Sequence, residues 1–363
     1  VVVRRRNLDA PEPVPDAFFF EDDYTLAGST GFSIWDASWV LLALLGRLAV
    51  INAEDALRLV GKGRQCTRRK STSESCLQSS AMPSEGAPVI AMQIDPQALR
   101  SIDLGGGTSG SEGDMFRQFL AQIVSPADRC DRREKQHSVL ELGSGTGVTG
   151  LALAALGARV VMTDIRSVVC GSLLPNVHIN AVPDASTSNS SFKSGTCAAA
   201  HDRNAAAEGV WARIGARGGE CMAMALDWRE SASWDAATLE VIRSCRCILA
   251  VETVWLPELV SPLIDSLLRM MDEMDAAARS DAATTLDADN IPQSDADQRA
   301  SAVAWLLFSQ RATEGSSALF VTPATLLSRL RAAGCFVRAA PPLLPLALSA
   351  RALPLLAYQV SRH

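Results

Sequence analysis

An open, mostly parallel α/β sheet is the fold class this 363-residue sequence predicts. Seven strands are expected, with helices on both faces and the last two strands paired as an antiparallel edge hairpin. Three observations predict it. Val139-Leu140-Glu141-Leu142 is a short apolar run of the buried-strand type, followed by Gly143, Gly145 and Gly147 and then an apolar helical stretch over 148–156. Gly157 stands where a helix C-cap glycine is expected, and a second strand over 159–162 closes on Thr163-Asp164. Strands and helices then keep alternating toward the C-terminus, the pattern of right-handed crossovers in a parallel sheet. Strand, glycine turn, helix, strand and acid make a Rossmann-like opening, with a nucleotide-like ligand expected over the first turn.

The elements follow in order. Residues 1–51 read as an N-terminal extension. It has a lead rich in Pro and charge over 1–17, a small hairpin over 18–26, and Gly31-Phe32-Ser33-Ile34-Trp35-Asp36-Ala37 running into an apolar helix from Ser38 to about Leu45. Asp36 suits the N-cap of that helix, which is expected to pack on the core. Residues 52–136 lose periodicity and read as a flexible insertion. Its basic residues Lys62, Arg64, Arg68, Arg69 and Lys70 read as a solvated loop. Gly105-Gly106-Gly107-Thr108-Ser109-Gly110 imitates a second glycine loop, but 101–104 is too short and polar for a core strand.

The main domain spans 137–363. After Asp164, residues 168–180 predict two short helical pieces around Pro175, and 181–217 an Ala/Ser/Asn-rich insertion. A strand over 221–226 closes on Asp227-Trp228. Another over 245–251 ends at Val251 and runs into Glu252-Thr253-Val254-Trp255. A helix from Pro257 carries Leu259, Val260, Leu263, Ile264, Leu267 and Leu268 on one stripe. Residues 272–300 read as an acidic, Ala-rich solvated linker. A strand over 303–308, a helix over 322–333 stopped by Gly334, and strands over 335–337 and 353–360 complete the order.

Composition narrows the function classes. A net charge of −6 gives no general reason to expect nucleic-acid binding. Nine cysteines without a regular framework suit a reducing compartment, the cytoplasm or also the nucleus. Cys245-x-Cys247 lacks a second pair and the chain has only four His, so no metal is expected. The apolar run 341–360 holds four prolines and Arg351, which argues against a membrane span. Arg4-Arg5-Arg6 is followed by prolines and acids, unlike a signal peptide, and a first residue of Val1 leaves the true N-terminus open. A soluble monomer is expected.

The ligand of the first turn is a choice between two. Gly145, Gly147 and Gly150 satisfy G-x-G-x-x-G, and Asp164 lies at the distance of a dinucleotide's ribose acid. Glu141, two residues before Gly143, instead makes E-x-G-x-G-x-G, the form typical of S-adenosyl-L-methionine (AdoMet) sites. Asp164 serves a ribose in either case. No His or Tyr-Lys pair stands where hydride transfer would need an acid, so AdoMet is favoured.

Polar and aromatic residues collect at the carboxyl ends of consecutive strands, where an open α/β sheet binds its ligands. The cofactor set is Glu141, Gly143, Ser144, Gly145, Thr146, Gly147, Asp164, Asp227, Trp228 and Val251, with Asp227 accepting from an adenine amino group and Trp228 packing on the ring. Methyl transfer needs a neutral nucleophile held in line with the methyl–sulfur bond. For a lysine the ammonium must first lose its proton, aided by desolvation and an acceptor. Glu252 and Trp255 are the candidates for this rim, Trp255 adding a cation–π contact. Ordinary alternatives stand beside each: core packing for Trp35, Trp228 and Trp255, a surface turn for Asp227, a helix cap for Glu252.

These motifs together resemble the family 16 protein-lysine methyltransferases of the seven-β-strand AdoMet-dependent superfamily. The likeness rests on Gly31-x-x-x-Trp35-Asp36-Ala37, Val139–Gly147, Thr163-Asp164, Leu173-Leu174-Pro175-Asn176-Val177-x-x-Asn180 and Leu226-Asp227-Trp228. Glu252-Thr253-Val254-Trp255 with Glu258-Leu259-Val260, and Phe308-Ser309-Gln310-Arg311, complete it. It covers roughly residues 25–50 and 137–340. The resemblance implies AdoMet contacts from Trp35, the glycine loop, Asp164 and Trp228, and an acid near the acceptor lysine of a protein substrate. The chain departs from the family in carrying Glu252-x-x-Trp255 where Asp-x-x-Tyr is usual, and in the long insertion between the Trp35 helix and the first core strand. Two other readings stay open: a small-molecule methyltransferase, and a catalytically silent AdoMet-binding scaffold.

Overall fold

The computed structural model describes residues 1–4, 38, 41, 47–49, 89–93, 138–182, 211–215, 218–253, 256–285, 302–309, 321–343 and 355–362. The hairpin expected at 18–26, Trp35 with Asp36, Trp255, and the Gly105–Gly110 run all lie outside them. Three short strands come first: β1 (Val2–Arg4), β2 (Arg47–Ala49) and β3 (Val89–Gln93). They form a small antiparallel sheet in the order β1-β3-β2, so part of the predicted insertion over 52–136 is strand.

The main sheet is built from β4 (Ser138–Leu142), β5 (Arg159–Asp164), β6 (Ala212–Ile214), β7 (Gly219–Ala225), β8 (Cys245–Val251), β9 (Val303–Ser309), β10 (Cys335–Leu343) and β11 (Leu355–Arg362). Its order is β10-β11-β9-β8-β4-β5-β7-β6. The pairs β4–β5, β4–β8, β5–β7 and β8–β9 are parallel. The predicted closing hairpin is there: β11 runs antiparallel to both β9 and β10. The eighth strand, β6, is a correction to the expected seven. It pairs antiparallel with β7 from within the stretch read as an insertion, and three residues followed by Gly215 and Gly218 leave no periodicity to read.

Helices cover both faces. On one lie α1 (Val148–Ala155) and the helical run 166–180, which comprises α2 (Arg166–Val168), one π turn (Val169–Leu173) and α3 (Leu174–Asn180). Pro175 has no N–H to donate and its ring crowds the carbonyl four residues back. The widened π turn directly before it keeps the run continuous where two separate pieces were expected. On the other face lie α4 (Ala236–Arg243), α5 (Pro257–Thr285) and α6 (Pro323–Ala332).

Two cores result, one on each face: Leu151, Val160, Leu173, Val177 and Trp305 on the first, and Leu140, Ile248, Val260, Leu267 and Leu330 on the second. Helix α5 continues through the first half of the predicted acidic linker. Met270, Met271, Met274 and Ala278 extend its buried stripe under a solvent face of acids, and that stripe holds it to the sheet. Among the described residues no helix is long and apolar enough to cross a membrane, and no cluster of three metal-ligating side chains occurs.

Candidate active site

Strand β4 sends its chain to β5 on one side and has β8 on the other, so the order of the sheet reverses between β4 and β8. Ligands of open α/β sheets bind outside the carboxyl ends at such a switch point. Here the ends of both strands meet. Gly143, one residue past β4, has a positive φ of 60°, and a Cβ added to it would stand 2.6 Å from Thr253 Cγ2 and 3.5 Å from Trp228 Cζ2. Only a glycine fits both the backbone and the space.

The loop after Gly143 is held from beneath. The Ser144 N–H donates to the Thr163 carbonyl at 2.8 Å, and the Thr163 N–H donates to Ser144 Oγ at 3.1 Å. Thr163 Oγ1 donates to the Glu141 carbonyl at 2.7 Å, and the Gly147 N–H closes the turn on the Ser144 carbonyl at 2.7 Å. The first strand end, the turn and the second strand end thus form one hydrogen-bonded unit.

Asp164 is half-buried at the end of β5. Its Oδ2 accepts from the Gly145 N–H at 2.7 Å and its Oδ1 from the Ile165 N–H at 2.8 Å. Burial pushes its carboxyl up to about 6, against the pull of those two amides. Each oxygen keeps a further lone pair.

Glu141 stands behind the loop rather than on it. It is buried, on the α1 side of β4, and a Cβ on Gly150 would lie 2.6 Å from its Oε2 and 2.5 Å from Met162 Sδ. Oε2 has no hydrogen-bond partner. Burial drives the Glu141 carboxyl up to about 8, and hydrogen bonds with Ser144 and Gly150 offset only part of this. At neutral pH it is a protonated acid wedged between helix and strand.

On the far side, Trp228 opens a 3₁₀ turn (Trp228–Ser233) and turns its ring edge toward Gly143. Its indole N–H is buried with no hydrogen-bond partner. The turn is fastened to α5: the buried Ser266 donates to the Trp228 carbonyl at 2.9 Å, and Arg269 donates to the Ser231 carbonyl while lying over the Trp234 ring. Asp227 caps this turn through the Arg229 N–H and pairs with the Arg229 guanidinium at 3.1 Å.

Val251 is buried at the end of β8, and Glu252 follows it, 5% exposed. The Glu252 N–H donates to the Leu307 carbonyl at 2.8 Å, extending the β8–β9 ladder by one bond. Its φ of 56° is the sole left-handed non-glycine backbone among the described residues. Such strain persists only where the surroundings impose it, and it clusters at functional sites. Thr253, the next residue, is the one that seals Gly143.

The structure therefore brings Gly143, Ser144, Gly145, Thr146, Gly147, Asp164, Trp228, Val251 and Glu252 to one edge of the sheet. It sets Glu141 beneath that edge and ties Asp227 to Arg229, while Trp35 and Trp255 lie outside the described residues. Sequence reading missed Thr253 and Ser266 as packing partners of the site. A Thr beside an acid and a Ser in an apolar helical stripe carry no pattern of their own.

A family model described as lysine methyltransferase matches residues 112–193. The glycine loop, Asp164 and the Leu173…Asn180 motif fall within this match, and Asp227-Trp228 and Glu252 beyond it. No curated protein matches. Among solved structures, magnesium protoporphyrin IX methyltransferase from Synechocystis PCC 6803, with bound SAH, is 12% identical with a TM-score of 0.32 over 71% of this chain and 90% of that one. A glycopeptide N-methyltransferase complexed with AdoMet is 12% identical at TM-score 0.31, over 70% of this chain and 89% of that one. A SAM-dependent methyltransferase from Methanosarcina mazei is 12% identical at TM-score 0.33, over 64% and 95%. Over residues 112–193 the chain is similar to the lysine methyltransferases.

Proposed function

We propose that this protein is an AdoMet-dependent methyltransferase whose acceptor is the side-chain amine of a lysine in a protein substrate. The observation that carries the reading is the closed contact at the switch point: Gly143 sealed by Thr253, the Trp228 edge beside it, and the buried, left-handed Glu252 next in the chain. The lysine part leans further on the family match over 112–193.

The residues fit such a cofactor. The Gly143–Gly147 turn presents backbone without bulk, as close approach of a ligand requires. The Asp164 carboxylate has lone pairs left for two ribose hydroxyls. The Trp228 indole, with a buried N–H lacking a protein acceptor, supplies a flat wall and one donor beside the turn.

Bound there, AdoMet supplies a methyl group on a positively charged sulfur, and its transfer depends on alignment more than on acid–base help. The chain's own residues supply the rest. Asp164 orients the ribose, Trp228 excludes water from one side, and the glycine turn sets the depth at which the ligand lies. Glu252 is assigned to the amine. Its carboxylate would hold the acceptor nitrogen and take up the proton that the ammonium must shed before its lone pair is free. Trp255 is assigned the aromatic rim, with a cation–π contact to the incoming ammonium.

The test is transfer of a labelled methyl group from AdoMet into a cell extract, resolved on a gel. A discrete labelled band that maps to lysine by mass spectrometry is expected. Label confined to small metabolites, or AdoMet binding without any transfer, overturns the lysine assignment. Absence of AdoMet binding overturns the whole reading.

A further inference from the structure

The helical run 166–180 touches the glycine loop at two points. A Cβ on Gly147 would collide with Leu173 Cδ1, and Asn176, which has no exposed surface, donates from Nδ2 to the Thr146 carbonyl at 2.9 Å. One turn later, along the same face of the helix, stands Asn180. Its Nδ2 donates to the Asn176 carbonyl at 2.8 Å and to the Val2 carbonyl at 2.5 Å, and its Oδ1 accepts from the Val2 N–H at 2.7 Å. The Asn180 amide therefore satisfies both backbone groups of Val2, as the neighbouring residue of a β-ladder would. On its other side Val2 pairs with Ala91 of β3. The buried Val3 belongs to the same core as Leu173 and Val177.

The chain of contacts is thus β3–β1–Asn180–Asn176–Thr146, joining residues 178 apart in sequence at the Val2–Asn180 step. The π turn directly ahead of α3 is the second feature of this run. It resets the helical register between Val168 and Leu174, and with it the side of the helix on which Leu173 and Asn176 fall. Single π turns of this kind recur at functional sites.

We infer that Asn176 and Asn180 are positioning residues, which couple docking of the N-terminal strand β1 to the shape of the Gly143–Gly147 loop. With β1 docked, Asn180 is held from both ends and α3 is fixed. Asn176 then fixes the Thr146 carbonyl and with it the Gly147 N–H, which shares that peptide plane and closes the turn around Gly145. Without β1, Asn180 loses two of its bonds and the last turn of α3 is free to fray. The cofactor role of the loop rests on the function proposed above; the coupling itself does not.

Hydrogen exchange of the full chain without ligand tests it, read at the Gly145 and Gly147 amides, both bonded here. Asn180→Ala is expected to speed exchange at β1 and at these two amides while leaving β8 and β9 unchanged. Ala91→Pro, which interrupts the small sheet's central strand, is expected to do the same. Leu330→Ala, a buried residue of the other core, serves as the control for lost stability alone. AdoMet affinity is expected to weaken about tenfold in Asn180→Ala and stay unchanged in Leu330→Ala. If β1 exchanges faster in both strand variants while Gly145 and Gly147 keep their protection, the coupling is overturned. The same holds if Leu330→Ala loosens the loop equally. A wild-type chain that fails to bind AdoMet would remove the proposed function and leave the exchange result to decide the coupling.

Discussion

Gly143 and Thr253 come from strands on opposite sides of the switch point and pack so closely that an added Cβ would stand 2.6 Å from the Thr253 methyl. That contact joins the glycine turn to the segment bearing Glu252, so the two halves of the candidate site share one steric joint.

Gly143→Ala should cost about 2–4 kcal/mol, the sum of a left-handed backbone and an overpacked contact. Thr253→Ser removes the offending methyl. The double variant should recover at least about 1 kcal/mol relative to additivity in chemical denaturation. Simple additivity would show that the joint is not where the strain sits.

Glu252 combines a left-handed φ with a buried acid, and two substitutions separate them. Glu252→Ala and Glu252→Gly both remove the carboxyl and should both bind AdoMet while losing turnover. The glycine variant should be about 1 kcal/mol more stable than the alanine variant, because only it relieves the backbone. Equal thermal melting of the two would exclude strain at this position.

Asp164→Ala should weaken AdoMet binding at least about a hundredfold in calorimetric titration. In the wild type the affinity should decline as pH falls through about 6, where Asp164 takes up its proton and offers one acceptor fewer. Normal binding by Asp164→Ala would remove the ribose role from this residue.

Glu141 gives a pH dependence of stability. Burial pushes its carboxyl up to about 8 in the folded chain, against an ordinary 4.5, so the folded chain holds a proton that the unfolded chain releases between those limits. Stability from this group is complete below 4.5 and is lost as pH rises through 8, by at most about 5 kcal/mol. Glu141→Gln should melt at nearly the same temperature at pH 5 and pH 8.5, while the wild type melts several degrees lower at the higher pH. A parallel decline in both would assign the dependence to other groups.

Local sequence by itself determined the strands β4, β5, β7, β8 and β9, the helices α1 and α6, and the glycine turn. Each is written in a single window of apolar period, glycine and cap. Thr322 and Gly334, for instance, bracket α6 as N-cap and left-handed stop. Asp164 and Glu252 were legible as neighbours on one edge because strand ends in a parallel sheet share that edge, so their place followed from chain order alone.

Only the tertiary structure decided which neighbours those residues meet. Glu141 read as part of the ligand set from its spacing, yet strand alternation and the close approach at Gly150 turn it under α1. Strand β3 pairs with β1 across some ninety residues and with β2 across some forty, and β6 has three residues beside a glycine; neither carries a local period. The reach of α5 was written in Met270, Met271 and Met274 but masked by the acids between them. The contacts Gly143–Thr253, Trp228–Ser266 and Asn180–Val2 depend on the distance between elements, and that distance is set by how two cores pack on one sheet rather than by any single stretch of chain.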